Sequence, residues 1–405
     1  MLSLSIEQSL LACCLVLVVG RLLTNKVGVL SRYSIPDPIV GGLLFAIVAF
    51  FITDWSGFQL ALDTSIKPTL LLLFFSCIGL TANLKLLVAG GGPRLAAFLL
   101  ALVPFLILQN VIGLGIAWLL DMHPLMGLIG GTITLVGGHG TGAAYATRFA
   151  EVNNIQDVMV LAMTAATFGL VLGGVIGGPV AERLIRKHAL KAKGGPVSAG
   201  GAAQINDQTS KEAAAVDYVA VITSLGAALV CVVFGTMVAK WVEHAPVSLP
   251  NFLWCLAIGV VIRNVGPTLG IRLHDRVTEI IGSFSLAVFL GLTMMTLDLA
   301  SVSRLAGPLL IILAAQALFA AVYASWVVFR LLKKDYEAAV MSAAFCGFSM
   351  GATATAIANM QALTRRHGAA PESFIVVPVT GAFLVDIINV IVLTSIIALP
   401  FVGGF

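Results

Sequence analysis

Charge is what this sequence has least of: Asp, Glu, Lys and Arg make up 10% of its 405 residues, against 59% apolar residues. So little ionic surface excludes an ordinary water-soluble globular chain, and the mean hydropathy of +1.04 describes a polytopic membrane protein. Cysteine is sparse too. Cys13, Cys14, Cys77, Cys231, Cys255 and Cys346 all lie in apolar runs, with no CxxC pair and no neighbouring histidine. That excludes a disulfide framework or a zinc centre, and leaves them as small buried hydrophobes. No Lys or Arg precedes the first apolar run, Leu11–Val19, and no small-x-small exit follows it. It reads as a first span rather than a cleaved signal. The net charge of +4 gives no basis for a nucleic-acid partner, and none is expected.

What the chain does have is long apolar runs. They extend from Gln8 to Leu23, Ile39 to Thr53, Ile66 to Leu80, Leu95 to Leu120 and Val158 to Ile185, then from Tyr218 to Val242, Phe252 to Ile262, Ile280 to Leu297, Leu305 to Leu331 and Phe374 to Leu399. These predict ten spans, five in each half, although Phe252–Ile262 is shorter than the ~20 residues of a perpendicular crossing. With the N-terminus outside, all of the 23 Lys and Arg except Lys67, Arg148, Lys240 and Arg304 fall in inner loops. The bias predicts both termini outside and a cytoplasmic central linker. It holds only if two further apolar runs, Leu125–Val136 and Ala338–Phe345, enter and leave on the same side.

Leu125–Val136 is followed by "GGHGTGAA", Gly137 to Ala144. Twelve helical residues rise about 18 Å, a little over half of a ~30 Å hydrocarbon core, so the run reaches mid-membrane and must turn. Irregular backbone at that depth survives only where protein or a water-filled cavity satisfies it, which favours a re-entrant hairpin over a glycine-kinked crossing. The halves also resemble each other. Gly127–Thr147 aligns with Tyr336–Ala356, setting Gly138 over Gly347 and Gly142 over Gly351, while Thr81, Asn83 and Leu84 align with Thr296, Asp298 and Leu299. The predicted fold class is all-α: two inverted repeats of five transmembrane helices, each with a re-entrant helical hairpin. The first repeat would cover 1–187 with its hairpin at about 123–150, a flexible linker 188–216, and the second repeat 217–405 with its hairpin at about 336–363. Odd numbers of crossings invert the second copy, so the hairpin tips would meet near the midplane, where secondary transporters bind their cargo.

Few residues carry chemistry. Asp386 alone among the nineteen acids falls near the centre of a span, where a carboxylate couples a cation or holds a structural hydrogen bond. Asn389, three residues on, shares its helical face. Thr353 and Thr355 place hydroxyls after the Gly351 break, and Thr141 does so in the first hairpin; such groups at helix starts suit an anion, or back-bond to their own helix. His139 either titrates or holds the turn by a hydrogen bond. Asn359, Gln361, Gln109 and Asn110 are buried amides that glue helices or bind solute. No Lys or Arg sits at mid-depth, so an anionic substrate would depend on dipoles, hydroxyls and co-bound sodium. No serine, cysteine or carboxylate stands at a recognisable spacing from His139, so no enzyme is expected.

The stretches "YSIPDPIVGGLL", "GGHGTGAA", "FGLVLGGVIGGPVA" and "ATAIANMQA" together resemble the bacterial sodium/glutamate symporter family, over about Arg21 to Pro400. The resemblance implies uptake of L-glutamate with sodium ions in the bacterial inner membrane, no cofactor, and a homodimer set in lipid whose transport domains move like elevators against a scaffold. The family's second hairpin often carries glycine and proline where this chain has Ser349 and Ala354. Carried over by position, the resemblance points to Gly138, His139, Gly140, Thr141 and Gly142, with Ser349, Gly351, Thr353 and Thr355, as hairpin-tip residues; Asn359 joins them as a substrate contact, and Asp386 and Asn389 as the sodium pair. A carrier of di- or tricarboxylates shares the architecture and differs in needing no acceptor for an amino group. An ion channel with the hairpins as its filter is the reading from another class.

Overall fold

The computed structural model describes residues 2–28, 36–57, 60–84, 92–153, 155, 158–192, 217–242, 250–270, 273–296, 299–399 and 402. Of the expected linker, 193–216 lies outside the described residues, as do Leu297 and Asp298. Among the described residues the regular structure is helical apart from one parallel pairing of two-residue strands, β1 (Leu2–Ser3) with β2 (Leu60–Ala61).

The helices are α1 (Ile6–Lys26), α2 (Asp37–Ser56), α3 (Lys67–Thr81), α4 (Pro93–Leu119), α5 (Pro124–Leu128), α6 (Gly138–Asn153) and α7 (Val158–Lys187). After the linker come α8 (Tyr218–Trp241), α9 (Asn251–Val265), α10 (Asp275–Met295), α11 (Leu299–Tyr323), α12 (Phe329–Leu331), α13 (Tyr336–Met350), α14 (Thr353–His367), α15 (Ser373–Val379) and α16 (Val385–Ile397). Wider π turns at Ile129–Ile133, Ala324–Val328 and Thr380–Leu384 continue α5, α11 and α15. Starts are marked chemically. Ser5 and Gln8 form a capping box on α1, and α2, α3, α4 and α5 each carry proline in the first turn, where its missing N–H costs nothing.

Among the described residues six helices are long and apolar enough to cross a membrane: Ile6–Lys26, Pro93–Leu119, Val158–Lys187, Tyr218–Trp241, Asp275–Met295 and Gly307–Leu331. Asp37–Thr53, Lys67–Thr81, Pro124–Ile133 and Val385–Ile397 are apolar but shorter. The short Phe252–Ile262 run extends only to the 15 residues of α9.

Two packing groups emerge. In one, α3 lies against α9 and α10, α1 against α2 and α10, and α8 against α9. Glycine lets the backbones close: a methyl on Gly79 of α3 would stand 2.2 Å from the Leu256 carbonyl oxygen of α9, the small-residue contact that holds helices where lipid offers no hydrophobic drive. The other group assembles α7, α13 and α14 with α4 and α11. Its centre is aromatic, with Phe105 stacked on Phe319 at 5.1 Å and edge-on to Phe345 at 5.0 Å. Between the groups, Phe74 of α3 covers Gly140, and Tyr145 of α6 meets Phe252 of α9 edge-on at 5.5 Å.

Arg94 ties three helix starts together. Its guanidinium, 12% exposed, bonds Asp335 before α13 and Glu372 before α15. Partial exposure of both acids dilutes the attraction, so Arg94→Gln should cost about 1–2 kcal/mol, read as a lower unfolding temperature in detergent; an unchanged value would make the pairs ornamental.

Candidate functional site

The first interrupted helix is α5 with its π turn. His123 caps it, Nδ1 accepting the Leu125 N–H at 3.2 Å. The helix opens at Gly131, where φ −102° and ψ −139° leave the helical region. Two asparagines close the gap this leaves. Asn110 of α4 accepts the Thr132 N–H on Oδ1 at 3.1 Å and donates from Nδ2 to the Thr132 hydroxyl at 2.8 Å. Asn389 of α16 donates from Nδ2 to the Thr132 carbonyl at 3.1 Å. A methyl on Gly131 would lie 2.8 Å from Asn110 Oδ1, so this brace requires glycine. The chain then turns through Gly138, whose φ of +64° suits a residue without Cβ, and α6 begins.

The second interruption separates α13 from α14. Asp335 caps α13, accepting the Ala338 N–H at 2.9 Å, and every residue of α13 except Glu337 is buried. The break is at Gly351 and Ala352 (φ −154°, ψ −88° and φ −164°, ψ 167°). Gln109 of α4 donates to the Ser349 carbonyl at 2.9 Å, and Gln316 of α11 donates to the Gln109 carbonyl at 2.8 Å. The alignment of Gly138 with Gly347 is therefore corrected. Gly347 lies inside α13, where a methyl would meet the Ala356 nitrogen at 2.6 Å; it is a close-packing glycine, and the break is at Gly351. The two interruptions lie close together: the nearest atom to a methyl built on Gly138 is the Gly351 carbonyl oxygen, 3.8 Å away.

Around this meeting point the expected residues divide into braced and unpaired groups. His139 is buried, and Nε2 donates to the Thr167 hydroxyl at 3.1 Å, since that hydroxyl gives its own proton to the Met163 carbonyl at 2.8 Å. Thr141 packs on Gly137, Gly140 on Phe74, and Gly142 on Thr134 and Met163. Ser349 donates to the Cys346 carbonyl at 3.2 Å, and Thr353 to the Gly381 carbonyl at 3.1 Å in the π turn before α16. Asn359 donates to the Gly173 and Ala343 carbonyls at 3.0 and 3.2 Å, bridging α7 and α13. Other atoms have no such use. Thr355 Oγ1, Asn389 Oδ1, Gln109 Oε1 and Gln316 Oε1 are buried without a hydrogen-bond partner among the described residues. Asp386, one turn before Asn389, is half-buried and makes no hydrogen bond or ion pair among the described residues. A carboxylate, amide oxygens from α4, α11 and α16 and a hydroxyl are oxygen donors of the kind a hard monovalent or divalent cation takes, and helix starts such as those of α6 and α14 favour an anion.

Two parts of this arrangement escaped the sequence reading. One is the brace of Asn110 and Thr132. The other is the row Gly169, Gly173 and Gly177 on α7, which lets that helix lie on α13: methyls there would stand 2.3 Å from the Met350 carbonyl oxygen, 3.2 Å from Met350 Cβ and 2.2 Å from Asn359 Nδ2. Their four-residue spacing within "FGLVLGGVIGGPVA" is a signal for helix contact that was readable in advance.

Comparison with known proteins identifies the family. The family model described as sodium/glutamate symporter matches residues 2–369. A sodium/glutamate symporter of Escherichia coli (strain K12) is 40% identical over 404 residues, 98% of each chain, and one of Shigella flexneri matches equally. A sodium/glutamate symporter of Haemophilus influenzae is 37% identical over 395 residues, 95% of each chain. A membrane protein of interrupted, tip-to-tip helices, matched along almost its whole length by such relatives, belongs to the sodium/glutamate symporter family.

Proposed function

We propose that this protein imports L-glutamate together with sodium ions by alternating access, with α5–α6 and α13–α14 as re-entrant hairpins whose tips enclose the cargo. The observation that carries this reading is the approach of Gly138 to Gly351, with the unpaired Thr355 hydroxyl one turn into the helix that follows Gly351 and with the helix of Asp386 and Asn389 bonded to the first break through Thr132. Sodium and glutamate are also what the names of the relatives specify.

In this reading the glutamate carboxylates meet the N–H groups opening α6 and α14 together with Thr141, Thr353 and Thr355, with Gly138, His139, Gly140, Gly142, Ser349, Gly351 and Asn359 shaping the tips. Asp386 and Asn389 hold sodium. The coupling follows from electrostatics. Moving an anion into a negative interior costs about 2.3 kcal/mol per charge per 100 mV, and more than one co-transported sodium reverses that sign. Empty and fully loaded carriers bury the least uncompensated charge, so they move most readily. The two halves, 1–187 and 217–405, act as inverted repeats in the inner membrane, with both termini outside. Helix starts at Gly138 and Thr353 stand at the same sequence separation as Thr81 and Thr296, which supports the repeat in a register the glycine alignment lacked. The group holding α4–α7 and α11–α16 moves like an elevator against the other group, which forms the homodimer.

Uptake of labelled L-glutamate into proteoliposomes, under an inward sodium gradient and then under an equal potassium gradient, tests the proposal. Accumulation with sodium alone, unaffected by excess citrate, is the expected result; sodium-independent uptake, or displacement by citrate, rejects it. Thr355→Val keeps the side-chain volume and removes a hydroxyl that no protein group uses. The unfolding temperature should hold while KM for glutamate rises about tenfold, the loss of one hydrogen bond to a charged ligand. An unchanged KM would remove Thr355 from the site.

A further inference from the structure

A cavity of about 550 Å³ lies far from the helix breaks, between the C-terminal end of α7 and the stretch from α11 to α12. Its two walls are built alike. On α11 and its continuation, Leu318, Val322 and Trp326 follow one another at four-residue steps, 69%, 50% and 62% exposed, and the next step is Arg330. On α7, Pro179 leads by the same steps to Arg183 and Lys187. Each wall is therefore apolar at one end and cationic at the other, because residues four apart share a helix face. From Leu318 to Arg330 the groove runs roughly 18 Å along the helix.

The cationic end is crowded and uncompensated. Arg183, Lys187, Arg330 and Lys334 line one cavity, and an adjoining cavity of about 610 Å³ adds Arg186. Among the described residues none of these five is in an ion pair, because the acids nearby are engaged elsewhere: Glu182 with Arg366 and His367, and Asp335 with Arg94. Lys333 and Lys334 hold positive φ, 77° and 56°, in the turn after α12, a conformation unfavourable for lysine, and this turn sets Lys334 on the cavity rim. The Arg330 guanidinium lies 5.1 Å over the Trp326 ring, which leaves its planar fork held for an oxyanion. A basic end above an apolar groove at an interfacial tryptophan has the polarity of a lipid, and basic clefts between membrane helices bind phosphate headgroups.

We propose that this groove is a binding site for an anionic phospholipid, with the headgroup phosphate among Arg183, Lys187, Arg330 and Lys334 and an acyl chain along Leu318, Val322 and Trp326. The site is separate from the transport site and does not depend on which substrate is carried. It spans α7 and the turn leading into α13, so a lipid seated there braces the base of the second interrupted helix from outside.

Trp326 reports on the site directly. The full-length protein is reconstituted with brominated phosphatidylglycerol or brominated phosphatidylcholine, and quenching at Trp326 is taken as the difference between wild type and Trp326→Phe. Quenching at Trp326 should favour the anionic lipid, and Lys187→Gln/Lys334→Gln should lower that preference by roughly fivefold per cation removed. Both lysines are exposed, so the double variant should fold as wild type does, and Lys187→Arg/Lys334→Arg should keep the preference. Equal quenching by the two lipids, or a preference untouched by the Gln pair, overturns the proposal. So does relief of the anionic-lipid effect by millimolar inorganic phosphate, which would identify a free anion as the occupant.

Discussion

Sodium-driven glutamate uptake should fall by about two orders of magnitude or more in Asp386→Asn, with no loss of folded protein. Both halves of this expectation come from the same observation. Asp386 is one turn from Asn389 on a helix that packs against the first break, and it has no partner among the described residues. An unpartnered carboxylate within a membrane span costs free energy unless a cation joins it. In the proposed site, removing the charge removes the cation's strongest ligand and costs the sodium-free fold nothing. Thermal unfolding separates the two effects. Sodium at 100 times its dissociation constant stabilises a one-site protein by about 2.7 kcal/mol, a shift of a few degrees for a chain of this size. The variant should match or exceed wild type without sodium and show no shift with it. A variant that transports normally, or that still gains stability from sodium, would leave Asp386 as a structural residue and move the cation elsewhere.

The second large effect is structural, and its control is the next residue. In Gly177→Ala the new methyl would stand 2.2 Å from Asn359 Nδ2 and 2.8 Å from the Ala343 carbonyl oxygen. Asn359 can swing away only by giving up its bonds to Gly173 and Ala343, and the Ala343 carbonyl belongs to a helix buried at all residues but Glu337. Overpacking and the lost bonds together should destabilise by about 2–4 kcal/mol. They should also slow transport, because α7 would be pushed off the helix that carries the Gly351 tip. At Gly178 a methyl meets nothing within 4 Å, so Gly178→Ala should be neutral or stabilising by up to about 1 kcal/mol through helix propensity. Thermal unfolding of the two variants side by side should give opposite signs. Equal effects would mean that the contact between α7 and α13 is looser than the glycine row implies.

The sequence reading found the second break at Gly351, the isolated Asp386 and the short run before "GGHGTGAA", each of which is visible as a local departure from apolar helix. It put the emphasis of the first break at Gly137–Gly142, whereas the backbone leaves the helix at Gly131. The reason is that Gly131 opens only because Asn110 and Asn389 take over the bonding of Thr132, and neither asparagine is near it in sequence. Gly347 misled for the complementary reason. A glycine that lets two helices touch looks identical, along the chain, to one that lets a helix turn.

Composition and run length alone establish a membrane-embedded helical chain in which several apolar runs are shorter than a perpendicular crossing. That much is local, because in hydrocarbon each backbone group must bond within its own helix or be visibly compensated. The division of polar side chains into those that brace and those left unpaired is not local. Gln109 reaches Ser349 across 240 residues, and Asn389 reaches Thr132 across 257. No property of an amide in a row of apolar residues says whether a carbonyl from the far half of the chain will come within 3 Å of it. Only packing the helices together separates Asn359, engaged at both of its N–H donors, from Thr355, whose buried hydroxyl has no partner among the described residues.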